Sequence, residues 1–533
     1  MKHLRKFNSV SDMESAIEAI DIDFIGLAYN GSTPVMCGTA ITPPAPPQPI
    51  TATPFYVENI TQENETLTIS SYDFSESEPA SYLEIPVEYS TDGTAWSSLG
   101  TTGETPLTRT LQPGDKVYLR ATTNAWYELQ EEPIIEHGCT ILGVSKVGGN
   151  VMSLLYGSSF TGNETTFPSG STANFIGLFV DMNDEDGYNR NLVSASELIL
   201  PATTLTNNCY TGMFQGCTSL TTAPALPATT LTENCYIVMF QGCTSLTAAP
   251  ALPATTLTES CYSNMFEGCT SLTTAPALPA TTLAYQCYYE MFYNCTSLTT
   301  APALPATTLA PNCYQAMFWG CTSLATAPAL PATTLVQSCY SEMFYGCTSL
   351  TTAPALPATE LAERCYNNMF LNCTSLVTAP ALPATTLTEN CYTGMFYGCT
   401  SLTTAPALPA TTLAAGCYEY MFNGCTALTT SPELSATKLA ESCCNWMFAN
   451  CTLLTTAPEL LATTLTDSCY SNMFDSCTSL NNVTIYANDI SAVNGLHRWL
   501  YNVAESGTFH NLGSATYPTG DDGIPSGWTV ENV

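Results

Sequence analysis

The chain has 533 residues, 45% of them hydrophobic, which is enough for several domains with buried cores. Only 11% are charged, and 45 acidic residues stand against 11 Lys plus Arg, a net charge of −34. That balance excludes a nucleic-acid footprint, which needs clustered basic residues, and electrostatic attachment to an anionic membrane. No stretch approaches the roughly 18 consecutive apolar residues of a membrane span, so no membrane insertion is expected. The opening MKHLRKFNSVSDMESAIEAI has basic residues with no continuous apolar run behind them, so no secretory signal is expected there.

Residues 1–38 read as a small α/β segment of one helix and a hairpin. Ser11 and Glu14 form a capping box, placing Met13, Ile17 and Ile20 on one helical face. DFIGLAYNGSTPVM then turns at Asn30-Gly31. With Phe24 and Leu27, these apolar residues are anchor candidates, because about forty residues make a poor independent core. Such a segment is expected to be stable when docked on a partner or on copies of itself, which implies a docking partner or a homo-oligomer. Residues 39–49 hold five prolines between Pro43 and Pro49 and predict a semi-rigid extended linker. Residues 50–135 carry short alternating runs, TLTISSYDF, IPVEYS and DKVYLRAT, and predict an immunoglobulin-like or fibronectin-like β-sandwich. Asp92-Gly93 fits a hairpin turn inside it, and Trp96 and Trp126 are its candidate core anchors.

Residues 136–200 predict a cap containing a degenerate repeat. Leu178-Phe179 takes a Met-Phe place that recurs downstream, and Phe179 precedes Phe214 by 35 residues, one period plus nine. Within the insertion, Asp181, Asn183 and Glu185 alternate like calcium ligands, but glycine falls at the seventh position and not the sixth. A solvated acidic loop is the preferred reading, with calcium as the alternative.

Residues 201–480 repeat eleven times with a period of 26, the first Cys falling at Cys209, Cys235, Cys261 and onward to Cys469. Met-Phe is kept in every copy, from Met213-Phe214 to Met473-Phe474. In the first copy Cys209, Met213, Phe214 and Cys217 are spaced for one apolar face of a short helical turn. Leu220 leads into a brief extended stretch, Thr221 to Ala223, which Pro224 interrupts because it has no amide donor. One unit cannot bury this face alone, so the repeats predict a solenoid of short parallel strands and short helical turns. At roughly 4.8 Å per stacked strand it would run on the order of 50 Å. Residues 481–533 lose the pattern and predict a carboxy-terminal cap with a last strand and a helix.

Twenty-two of the 25 cysteines are the paired repeat positions. Equivalent cysteines of stacked repeats would lie roughly 5 Å apart, within disulfide reach. The core is plentiful, however, so a ladder of reduced, buried thiols is the preferred reading. No Gly-rich phosphate loop, nucleophile elbow or His-containing metal pattern appears, so no catalytic residue, cofactor or metal is expected. The residue after each Phe is variable, and stacking would align Tyr293, Trp319, Tyr345 and Tyr397 near one stripe. Such rings suit sugar stacking or a protein partner, and these four are the ligand-binding candidates; packing beside the core is the plainer alternative.

The Met-Phe-x-Gly-Cys-Thr-Ser-Leu core resembles the BspA-like leucine-rich repeat family, whose units carry Ala-Phe-x-x-Cys-x-x-Leu. It departs from that pattern in Met before Phe, in its period and in Pro where the strand usually carries a branched apolar residue. The resemblance implies a surface adhesin that binds host proteins, cells or matrix. The layout of anchor, Pro spacer, β-module and solenoid is similar to that of surface proteins encoded by phages of gut Bacteroidales. That similarity implies a virion head fibre, decoration or tail-associated adhesin, docked on a capsid or tail protein and assembled in the bacterial cytoplasm. A bacterial cell-surface adhesin is the alternative.

Overall fold

The computed structural model describes residues 27–30, 33–36, 52–73, 82–121, 123, 126–129, 135–168, 174–181 and 187–532. The chain divides into two units, Met1–Ile50 and Thr51–Val533. In the first, β1 (Leu27–Asn30) and β2 (Thr33–Met36) pair antiparallel, with Leu27 opposite Met36. The anchor candidates Met13, Ile17, Ile20 and Phe24 lie outside the described residues, and Leu27 opens β1.

The second unit begins with β3 (Tyr56–Glu58), β4 (Glu65–Asp73), β5 (Pro86–Ser90), β6 (Ser97–Thr101), β7 (Leu107–Leu111), β8 (Lys116–Ala121), β9 (Tyr127–Leu129), β10 (Ile135–Leu142), β11 (Lys146–Asn150) and β12 (Ser194–Ile199). Four of these form an antiparallel sheet in the order β7-β4-β10-β9, and six form a second in the order β12-β11-β3-β8-β5-β6. Alternation places one side chain in two toward the interior, as in β8, where Val117, Leu119 and Ala121 are buried between half-buried neighbours. Phe55, Val57, Leu67, Ile69, Val87 and Ile141 join them in one core. Trp126 is buried there and donates its indole N–H to the Leu154 carbonyl at 2.8 Å. Trp96, expected inside, instead lies at the turn between β5 and β6, where its ring takes the Arg120 guanidinium at 4.2 Å.

The six-stranded sheet runs directly into the repeats. β12 pairs in parallel with β11 on one side, and Ser194 and Ile199 bridge to Thr222 and Ala225 on the other. From there the repeats connect through single-residue parallel bridges, Thr274 to Thr300 to Thr326 to Thr352 and on to Thr430. Bridges stay this short because the prolines that follow have no N–H to lengthen a ladder.

The Cys-to-Cys segment is not the expected helical turn. In the second repeat Ile237, Met239 and Gln241 each donate back across a tight turn, to Asn234, Tyr236 and Val238. The alternate N–H groups of Tyr236, Val238, Phe240 and Gly242 reach the next repeat, at Cys261, Ser263, Met265 and Glu267. Asn234, Val238 and Gly242 take positive φ, so every fourth residue is left-handed. Buried pairs (Cys235-Tyr236, Met239-Phe240) separated by two outward residues suit either a helix or this chain of turns. Stacking selects the turns, because a helix would spend those N–H groups on itself. Among the described residues one α-helix occurs, Ser153–Tyr156.

Two ring ladders fill the interior. Phe179 stacks on Phe214 at 5.1 Å, and the Phe column continues to Phe474 with centroids no more than 5.7 Å apart. The Tyr column runs from Tyr210 to Tyr418 and is interrupted at Cys444. Each second Cys donates its S–H to a Phe carbonyl of the preceding repeat, as Cys269 does to Phe240 and Cys295 to Phe266, both at 3.1 Å. These bonds need protonated thiols, and the described cysteines are unpaired and buried.

At the far end β13 (Asn482–Ile485), β14 (Thr508–Asn511) and β15 (Thr529–Asn532) form a parallel sheet in that order. The expected cap helix is absent among the described residues. Asn494, Arg498 and Asn502 take positive φ one period after Ser468, Asn472 and Ser476, and Phe474 donates to Trp499, so a twelfth run of turns closes this end.

Burial raises the Cys261 and Cys391 thiols from 9.0 to about 11. The folded state therefore holds protons that the unfolded chain releases, and the contribution of these thiols to stability is expected to be constant below pH 9.0 and to fall as pH rises toward 11. Urea midpoints across that range check it, and an aromatic disulfide reagent should label the thiols only with unfolding. Val238 is a β-branched residue at φ 49, where equivalent positions hold Gly212 and Asn264. Val238→Asn is expected to raise stability by about 1 kcal/mol, read as a higher urea midpoint.

Candidate functional site

Because the turn segment alternates buried and outward pairs, each repeat presents the two residues before Met-Phe and the two after it on one face. Stacking in register then places each of these residues beside its counterpart in the neighbouring repeat. The sequence candidates fall in the column just after Phe. Trp319 and Tyr345 stack face to face at 3.8 Å with 9° between planes, and Tyr293 leans on Trp319 at 5.4 Å and 34°. All three rings are half-buried, with their faces largely turned along the column.

The fourth candidate, Tyr397, is separated from this triad by Leu371 in the intervening repeat. Its partner is Tyr420, at 6.4 Å, which in turn stacks with Trp446 at 6.3 Å. Tyr420 and Trp446 escape a reading of a single column because they occupy the left-handed position two residues before Phe. The outward pairing of those two positions follows only from the chain of turns. The structure therefore holds two aromatic groups where one stripe was expected.

Carboxylates surround the first group. Glu267 stands one repeat before Tyr293 in the same column, while Glu290 and Glu342 occupy the left-handed positions of their repeats. Asn264 spends both amide hydrogens on two of them, donating to Glu267 Oε2 at 2.8 Å and Glu290 Oε2 at 2.7 Å. Burial, with Glu290 and Glu267 nearby, raises the Tyr293 hydroxyl above its ordinary value. Burial raises the Glu342 carboxyl as well, opposed by a hydrogen bond from Asn368 and reinforced by Glu290. In the second group Glu419 accepts from Asn445 at 2.8 Å, and burial raises its carboxyl. In the linear sequence Glu267, Glu290 and Glu342 form no run, so only the stacking of repeats brings them beside the rings.

Of the calcium candidates, Asn183 and Glu185 lie outside the described residues, and Asp181 is half-buried. Among the described residues no group of three or more His, Cys, Asp or Glu is arranged to hold a metal ion. No described helix is long and apolar enough to cross a membrane.

Four overlapping segments, residues 190–325, 239–377, 286–414 and 389–495, match the family model described as BspA type leucine rich repeat region (6 copies). Together they cover more than half of the 533 residues. The chain belongs to the BspA-type leucine-rich repeat family. The matched span of this BspA-type protein starts just before β12 and ends inside the twelfth run of turns. A solved structure described as the crystal structure of a TLR13–ssRNA13 complex is similar at 17% identity over 60% of this chain. The match spans 43% of that chain with a TM-score of 0.24, too low to carry an argument. No curated protein sequence matches.

Proposed function

We propose that this BspA-type protein is a non-enzymatic adhesin that presents its turn face to a host-surface glycan, protein or matrix. The observation that carries the reading is the Tyr293–Trp319–Tyr345 group: large rings kept at the surface of a stack whose Phe and Tyr columns are buried. Rings held against one another lose little freedom on binding, so the area they offer is used efficiently. Family membership supports adhesion in general.

The finer reading is a virion fibre, decoration or tail-associated protein, docked on a capsid or tail protein through residues 1–38. The thiol ladder favours it over an exported cell-surface adhesin. Its S–H donors must be reduced when the repeats stack, a condition met by assembly in a reducing cytoplasm. In this layout the two-sheet module between linker and repeats is an immunoglobulin-like spacer that also closes one end of the stack.

A Trp319→Ala/Tyr345→Ala double variant should keep its urea midpoint within about 1 kcal/mol of stability and lose most binding to host cells in a sedimentation assay. Undiminished binding by a folded variant would remove the aromatic face from the reading. Mass spectrometry of purified particles against outer-membrane fractions separates virion from cell surface.

A further inference from the structure

The carboxy-terminal cap contains an internal counterpart of the first aromatic group. Asp475 and Tyr501 occupy the column after Phe in the eleventh repeat and the twelfth run of turns, as Glu267 and Tyr293 do in the third and fourth repeats. The backbone register agrees: Ser476 donates to Tyr501 as Gly268 donates to Tyr293, and Phe474 to Trp499 as Phe266 to Met291. In the cap, the step between carboxylate and tyrosine is filled by a guanidinium of the chain itself. Arg498 lies 3.1 Å from Asp475 and 3.9 Å from the centre of the Tyr501 ring. A planar cation there gains both a charge-assisted hydrogen bond and the negative face of the ring.

The residue equivalent to Arg498 is Glu290, and both take the same left-handed backbone, φ 49 and φ 51. At this second step the chain therefore supplies two carboxylates and a tyrosine face, and no cation. Asn264 donates to one oxygen of each carboxylate, Gln241 adds a second donor to Glu267 Oε2 at 2.6 Å and the Tyr289 hydroxyl donates to Glu290, so each carboxylate keeps only part of its acceptor capacity for an incoming donor. Arg364 and Lys438 are the only basic residues between 201 and 480, and Arg364 pairs with Glu363. Meanwhile Trp319 and Tyr345 cover each other's faces at 3.8 Å, which leaves a sugar ring little room to stack between them.

From these observations we infer that the step formed by Glu267, Glu290 and Tyr293 is a seat for an arginine side chain on a partner polypeptide. The inference rests on the adhesive reading and narrows its ligand to a basic protein segment. The guanidinium lies on the Tyr293 face and accepts no proton; it donates to the Glu267 and Glu290 carboxylates, replacing water on both. Arg498 in the cap gives the geometry. Neutral glycan is the competing ligand, and the test is arranged to expose it.

The probe is a fluorescent peptide of Gly-Ser-Arg repeats, read by anisotropy against the full chain, with a citrulline-substituted copy as the neutral isostere. The arginine peptide should bind, the citrulline peptide at least about tenfold more weakly, and binding should weaken as salt rises. Glu290→Arg places this chain's own guanidinium where Arg498 stands in the cap, so it should fill the seat and abolish binding. Glu267→Gln should weaken binding by about tenfold or more, with an unchanged urea midpoint confirming the fold. Equal binding of both peptides, or full binding by a folded Glu290→Arg protein, overturns the seat. Host-cell binding is measured in parallel. If cell binding depends on Trp319 and Tyr345 while the arginine peptide fails to bind, the seat falls and adhesion stands, with neutral glycan the ligand. If neither binds, both readings fall.

Discussion

Backbone hydrogen bonds in the turn segment are shared alternately between a residue's own turn and the next repeat, and the rest of the molecule depends on that division. Gln241 closes a turn onto Val238, and Val238 itself donates to Ser263 in the following repeat. A helix would use every N–H internally and leave neighbouring repeats joined by side chains alone, whereas strands would leave the turns unclosed. The alternation satisfies both demands, but it requires a left-handed residue at every fourth position and a period that does not drift. Asn, Gly and Ser supply most of those positions, and the constant 26-residue spacing supplies the register.

Register turns each repeat position into a column. Inside, the columns become continuous Phe and Tyr stacks and a line of thiols that donate to Phe carbonyls. Those interior contacts vary little from repeat to repeat, so they provide stiffness and stability without distinguishing one stretch of the surface from another. Outside, the same rule lets a residue meet only its counterparts one period away and its neighbours on the same turn. The chemistry of the face is then written by which residues follow one another along a column, as with Glu267, Tyr293, Trp319 and Tyr345.

A stack built this way has two ends with unsatisfied backbone, and at both the same pairing is extended by further strands. β11 of the two-sheet module pairs with β12, the first strand of the repeats, and Phe175 and Phe179 begin the Tyr and Phe columns. At the other end β14 and β15 continue the parallel ladder from β13, and Trp499 and Trp528 donate to Gly523 and Ala504 carbonyls. Structure continuous with the terminal repeats pairs their backbone and moves the free edge at the carboxy-terminal end outward to β15.

The period, the Met-Phe positions, the burial of the paired cysteines and the aromatic character of the Tyr293 column are all legible in the amino-acid order, because each depends on residue type and spacing within one repeat. The outward placement of Trp96 and the division of Tyr397 from the Tyr345 group are not, since both turn on what lies across the fold: Arg120 for the first, Leu371 and Tyr420 for the second. The same holds for the segment between cysteines. Its spacing of apolar pairs satisfies a helix and a chain of turns equally, and only hydrogen bonds to a residue one period away decide between them. Within the repeats, sequence determined which side chains go inside. Tertiary structure decided how the backbone carries them and which outward residues meet, because those choices are made between repeats and not within one.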